Sequence, residues 1–72
     1  MEEMLYTVKE VSQILKCNVS YVHKLRNAGL LRFMKLGQYK IRKSNLEKFL
    51  ADYDGMDVTD PDNIVLLKDE TA

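Results

Sequence analysis

Thr7-Val8-Lys9-Glu10-Val11-Ser12-Gln13-Ile14-Leu15-Lys16-Cys17-Asn18-Val19-Ser20-Tyr21-Val22-His23-Lys24-Leu25-Arg26-Asn27-Ala28-Gly29 decides how this chain folds. Thr7 followed three residues later by Glu10 is a capping box. The hydroxyl accepts the amide of the third helical residue, and the carboxylate reaches back to the Thr7 amide. Val8, Val11, Ile14 and Leu15 then recur at helical spacing. They predict an amphipathic helix with Lys9, Ser12, Gln13 and Lys16 on its exposed side. Lys16-Cys17-Asn18 breaks it. Asn18 is a good N-cap for a second helix from Val19 to Asn27, with Val22 and Leu25 as its inward pair. Gly29 falls where a helix end takes a left-handed residue.

Two short helices joined by about three residues have the spacing of a helix-turn-helix, whose second helix enters the DNA major groove. Outward from this pair, residues 31–36 mix apolar and basic side chains, and Gly37-Gln38 favours a type II′ hairpin turn. In the second arm Tyr39 and Ile41 share one face, and Lys40 and Arg42 the other. The expectation is an antiparallel hairpin, apolar inside and cationic outside. Ser44-Asn45-Leu46-Glu47 reads as a second capping box, with Leu46, Phe49, Leu50 and Tyr53 at helical spacing behind it. Asp54-Gly55 ends that helix. The fold class is α+β: a small winged helix-turn-helix of two helices, a hairpin wing and a third helix, with an acidic C-terminal tail. Residues 1–53 form the winged domain and 54–72 the tail. The Asp, Gly and Pro content of the tail predicts irregular chain. Its apolar patch, Ile64-Val65-Leu66-Leu67, is expected to extend the hairpin, pack on the third helix, or bind a partner or a second copy.

The chain has 72 residues with 11 Lys and Arg, 11 Asp and Glu, one His and one Cys. A core this small rarely supplies more than about 3–5 kcal/mol beyond chain entropy. One cysteine makes no intramolecular disulfide, which excludes a disulfide-stapled knot. Cys17 has no second Cys or nearby His for a zinc site. No apolar run approaches the roughly 20 residues of a membrane span, and residues 1–4 lack the features of a signal peptide. The expected location is the cytoplasm. The net charge of zero conceals a dipole. Residues 1–53 hold ten basic side chains against five acids, a net +5. Residues 54–72 hold one base against six acids, a net −5. Between Lys16 and Lys48 nine basic residues face Glu47 alone, a net +8. Such asymmetry points to a nucleic-acid-binding body with an acidic tail.

Leu5-Tyr6-Thr7-Val8-Lys9-Glu10-Val11, Cys17-Asn18-Val19-Ser20-Tyr21-Val22, Ala28-Gly29-Leu30-Leu31, Lys35-Leu36-Gly37 and Tyr39-Lys40-Ile41-Arg42-Lys43-Ser44-Asn45-Leu46 form an ordered set. In that order they resemble the excisionase-family helix-turn-helix domain, a minimal winged helix related to the DNA-binding domain of MerR-type regulators. The resemblance covers about residues 5–51. It departs from the family at Val19, where many relatives are basic, and at His23, where relatives often carry Arg or Tyr.

The resemblance implies that the second helix reads the major groove and that the wing lies on the backbone or minor groove. Helix contacts then fall on Ser20, Tyr21, His23, Lys24 and Asn27, and wing contacts on Lys35, Gln38, Tyr39, Lys40 and Arg42. Lys24 suits a phosphate, Asn27 either an adenine or the cap of its own helix, and Ser20 several bases. Tyr21 packs either on a sugar or thymine methyl, or beside the first helix. Arg26 covers the hairpin or pairs with an acid. The leading expectation is sequence-specific double-stranded DNA binding without catalysis or cofactor. The resemblance adds an excisionase-type recombination directionality role, a tyrosine-type recombinase (integrase) as partner, copies on tandem DNA sites, and a bacterial or phage mobile element as source. The alternatives are promoter regulation alone, or a protein-interaction module using the basic face and Ile64–Leu67. An enzyme is not expected. The acids cluster in the tail, no Gly-rich loop is present, and no nucleophile–base pair is placed by a motif.

Overall fold

A computed structural model of the chain describes residues 4–67. In chain order these form β1 (Leu5–Thr7), α1 (Val8–Leu15), α2 (Val19–Asn27), β2 (Met34–Leu36), β3 (Gln38–Arg42), α3 (Lys43–Asp52), β4 (Met56–Asp57) and β5 (Val65–Leu66). Three helices and a small antiparallel sheet make the winged helix-turn-helix expected from the pattern.

Thr7 closes the capping box as the spacing requires. Its hydroxyl accepts the Glu10 amide at 3.0 Å, and its amide donates to Glu10 Oε1 at 2.8 Å. The buried stripe of α1 is Val8, Val11, Ser12 and Leu15, at i, i+3, i+4 and i+7. Ser12, expected outside, is therefore buried, its hydroxyl donating to the Lys9 carbonyl at 2.6 Å. Ile14, expected inside, is 45% exposed. The helix ends in a Schellman closure: Cys17 N–H bonds Ser12 O and Lys16 N–H bonds Gln13 O. Lys16 takes the left-handed position, with φ +57°. Asn18 then caps α2, accepting the Tyr21 amide at 2.8 Å. A second Schellman closure ends α2, with Leu30 N–H on Leu25 O and Gly29 N–H on Arg26 O. Here Gly29 supplies the positive φ at +78°.

The sheet order is β1-β3-β2, so β3 is central. Strand β1 is an addition to the expected hairpin, paired Leu5 to Arg42, Tyr6 to Ile41 and Thr7 to Lys40. The hairpin register pairs Leu36 with Gln38, which leaves Gly37 alone at the tip with φ +79°. This replaces the expected two-residue type II′ turn. Extending the ladder by one pair leaves a single connecting residue, and glycine tolerates that positive φ without a Cβ clash.

The core joins Val11, Val22, Leu25, Leu31, Ile41, Leu46 and Phe49 in one cluster. Each helix and the central strand contributes to it. The expected Ser44 capping box does not form. Arg42 ends the ladder opposite Leu5 and is itself the N-cap, so α3 begins two residues earlier than expected, and its N-cap makes no side-chain bond. Lys43 N–H is satisfied by the Met4 carbonyl at 2.9 Å. Ser44 sits inside the first turn, where it cannot cap. Leu50, expected inward, is 45% exposed.

The tail between 56 and 67 is irregular only in part: two short strands frame a turn-rich loop over 58–64. Met56 pairs with Leu66 and Asp57 with Val65, so the apolar patch completes a hairpin of the tail itself. Leu67 N–H bonds Gly55 O at 3.0 Å. Val58 packs against the core cluster and Pro61 is buried.

Thr7→Ala is expected to cost about 1 kcal/mol of unfolding free energy, and Ser44→Ala a few tenths. Urea denaturation of the two variants beside the parent measures the contrast; equal losses would restore the second capping box.

Candidate nucleic-acid interface

The periodicity of α2 sorts its side chains. Val22 and Leu25 are fully buried. At 100° per residue Ser20, Lys24 and Asn27 fall opposite them, and all three are exposed. The Ser20 hydroxyl donates to Asn18 Oδ1 at 3.0 Å, which leaves its oxygen able to accept. The main-chain Schellman closure spares the Asn27 amide a capping duty. Helix α2 thus presents one cation and two small hydrogen-bonding groups on a single face.

The pleat divides the five wing residues. Lys35 lies opposite Tyr39, on the side of the sheet that carries Ile41 into the core. Gln38, Lys40 and Arg42 lie on the other side, with Lys40 beside Thr7 and Arg42 beside Leu5. The structure therefore brings Lys35 and Tyr39 together with α2, and places Gln38, Lys40 and Arg42 on the far face of the wing. Met34 and Leu36 share that far face and are exposed, so it is mixed rather than purely cationic.

Helix and wing meet through aromatic rings. His23, half-buried, lies edge-on to Tyr39 at 5.9 Å between centroids and tilted against Phe33 at 6.3 Å. Phe33 and Tyr39 are themselves edge-to-face at 5.8 Å. Arg26, one turn beyond His23 on the same flank, sets its guanidinium 4.6 Å from the Tyr39 centroid and 5.9 Å from Phe33. Arg26 thus covers the hairpin. Phe33 was not singled out by sequence, although the i, i+3 spacing of His23 and Arg26 and the inward phase of Tyr39 are both legible there.

Tyr21 turns the other way. It stands about 200° around the helix from His23, and its hydroxyl donates to the Val58 carbonyl of the tail. Its ring is half-buried and leaves the exposed face of α2, and its hydroxyl bond is to the tail rather than to the first helix. Burial raises its phenol above the ordinary value, with the negative potential of Cys17 and Asp57 adding to the shift. An apolar groove of about 690 Å³ opens beside it, lined by Leu15, Cys17, Tyr21, Phe49, Tyr53 and Val58 among others. Burial also raises the Cys17 thiol, which keeps it protonated and unreactive near neutral pH. Asp57 is held below the ordinary carboxylate range by the hydroxyl and amide of Thr59.

Residues 5–53 match the family of helix-turn-helix domains. The chain belongs to that family. Its members are sequence-specific DNA-binding domains and typically not enzymes. No curated protein and no solved structure matches the chain. The helix-turn-helix unit so identified contains α1, α2, the wing and α3, and the tail hairpin lies beyond the match. Among the described residues no helix is long and apolar enough to cross a membrane.

Neutral Tyr21 is favoured in the folded helix-turn-helix domain. Its contribution is therefore complete below about pH 10 and is lost as pH rises through its raised folded value. Tyr21→Phe should cost roughly 1 kcal/mol at neutral pH and flatten the fall of melting temperature above pH 10. Thermal unfolding followed by circular dichroism from pH 7 to 11 reads both effects.

Proposed function

We propose that this protein binds specific double-stranded DNA as an excisionase-type recombination directionality factor, with α2 in the major groove and the wing on the backbone or minor groove. The observation that carries the reading is the exposed Ser20–Lys24–Asn27 face of α2 within a matched helix-turn-helix domain. The face combines a phosphate ligand with groups that read base edges. Lys35 flanks it from the wing, and Lys40 and Arg42 extend the positive field across the sheet. Tyr21 leaves the proposed contact set, and Tyr39 stays in it as a support for other side chains.

A domain of about 50 residues buries a modest DNA interface, so useful specificity needs neighbouring copies or a second protein. That requirement fits copies on tandem sites, and the excisionase resemblance implies a tyrosine-type recombinase as partner in the cytoplasm of a bacterium, on phage or other mobile-element DNA. We assign residues 1–53 to this work and residues 54–72 to self-association or partner contact. Val65 and Leu66 remain 51% and 69% exposed although β5 is paired, and Leu67 beyond it is 55% exposed. Footprinting on the DNA flanking the gene tests the role. Repeated sites within an attachment region support it, whereas a single site over a promoter makes the protein a transcription regulator.

Neutralising about five phosphates gives a slope of log K against log salt near −4.5. Lys24→Ala should weaken all duplexes alike and shrink that slope by about 0.9. Asn27→Ala should cost about 1–3 kcal/mol on the specific site and relax preference at one base pair. Fluorescence anisotropy across a salt series measures these quantities; a flat slope in the parent removes the DNA-binding reading.

A further inference from the structure

Helix α2 and the wing are joined by a cationic cluster with no carboxylate partner among the described residues. Tyr39 is approached by Arg26 Cζ at 4.6 Å and by Lys35 Nζ at 5.1 Å from its centroid. One ring therefore holds two cations within about 10 Å of each other, which is about one Debye length at physiological salt. Neither cation has a carboxylate partner among the described residues, where the ion pair found is Lys48–Asp52, on α3. Two polar atoms of the same cluster, Arg26 Nε and His23 Nδ1, are buried without a hydrogen-bond partner. Buried polar atoms normally find partners, and like charges normally gather an acid between them.

The ring geometry explains how the arrangement survives without one. The faces of Tyr39 and Phe33 offset part of the cationic charge. Their edge-to-face packing with His23 fixes the rings, and the Lys35–Tyr39 cross-strand pair fixes the wing end. The guanidinium is thereby held in one orientation before any ligand arrives, which lowers the entropy cost of using it. Arg26 sits on the flank of α2, beside the exposed face and not on it. A group bound there meets the helix and the wing together.

We infer that Arg26 and Lys35 form a clasp for one phosphodiester of double-stranded DNA, with Tyr39 as the residue that positions both cations. The inference rests on the DNA-binding reading above and names a contact outside the base-reading face. The phosphate supplies the missing counter-charge and pins the angle between recognition helix and wing. The clasp carries no sequence information of its own, because phosphates are common to every duplex.

The test uses the full chain and two duplexes, one specific and one unrelated, in an anisotropy salt series. Arg26→Gln and Lys35→Gln should each shrink the slope of log K against log salt by about 0.9 on both duplexes, leaving their affinity ratio unchanged. Arg26→Lys should restore the slope while recovering affinity in part, since charge returns without the planar fork. Tyr39→Leu should weaken both duplexes, and by more than Tyr39→Phe, which keeps the ring face under both cations. Lys35→Gln, on the exposed wing, carries the test if Arg26→Gln fails to fold. An unchanged slope in a folded Gln variant overturns the clasp while the parent slope preserves DNA binding. A changed affinity ratio also overturns it, in favour of base reading. Saturable binding of inorganic phosphate alone below about 1 mM, followed by the ring signals of His23 and Tyr39, would assign the cluster to a free anion instead. A flat slope in the parent removes the clasp together with the reading it rests on.

Discussion

The burial of Val22 and Leu25 in one cluster with Val11, Leu31, Ile41, Leu46 and Phe49 sets the orientation of everything else. With so few residues inside, α2 has one way to bury its apolar pair. Once Val22 and Leu25 are committed, the helical period leaves Ser20, Lys24 and Asn27 outside, His23 and Arg26 on one flank, and Tyr21 on the other. The two helix closures and the Asn18 cap hold the turn that makes this packing possible. Lys16 occupies a left-handed position that glycine takes at the end of α2, and the adjoining closure bonds offset that conformational cost.

Features set by local chemistry were legible in the sequence. The Thr7–Glu10 capping box, the Asn18 cap, the Gly29 terminus and the inward pair of α2 each depend on residues within one helical turn of each other. Features set by long-range pairing were not. Ser44-Asn45-Leu46-Glu47 has the same signature as Thr7–Glu10 but forms no box, because Arg42 is held opposite Leu5, a residue 37 positions earlier. Strand β1 is three residues long, too short for alternation to identify. The tail strands are two residues each and take their order from one another. The candidate site divides in the same way. The exposed face of α2 follows from its period, whereas the turning of Tyr21 to the tail and the meeting of Arg26 with Tyr39 depend on elements far apart in the chain.

The two flanks of α2 give the helix two different attachments. On one side aromatic packing ties it to the wing, through rings whose faces hold cations. On the other a single tyrosine hydroxyl ties it to the tail, beside an open apolar groove. The first is a contact of several interlocking rings, and the second depends on one donor and one carbonyl.

This asymmetry also settles what the neutral total charge means for binding. Two of the described tail carboxylates are engaged locally: Asp57 accepts from Thr59, and Asp60 accepts the Asp62 amide. They organise turns of their own hairpin. The tail docks on the Tyr21 flank, with the thickness of α2, about 10 Å, between it and the wing cluster. Asp57, which acts on the Tyr21 phenol, therefore lies on the flank of α2 away from Arg26. An approaching phosphate responds to the local surplus between Lys16 and Lys48, and the zero of the whole chain governs only the weak field felt farther out.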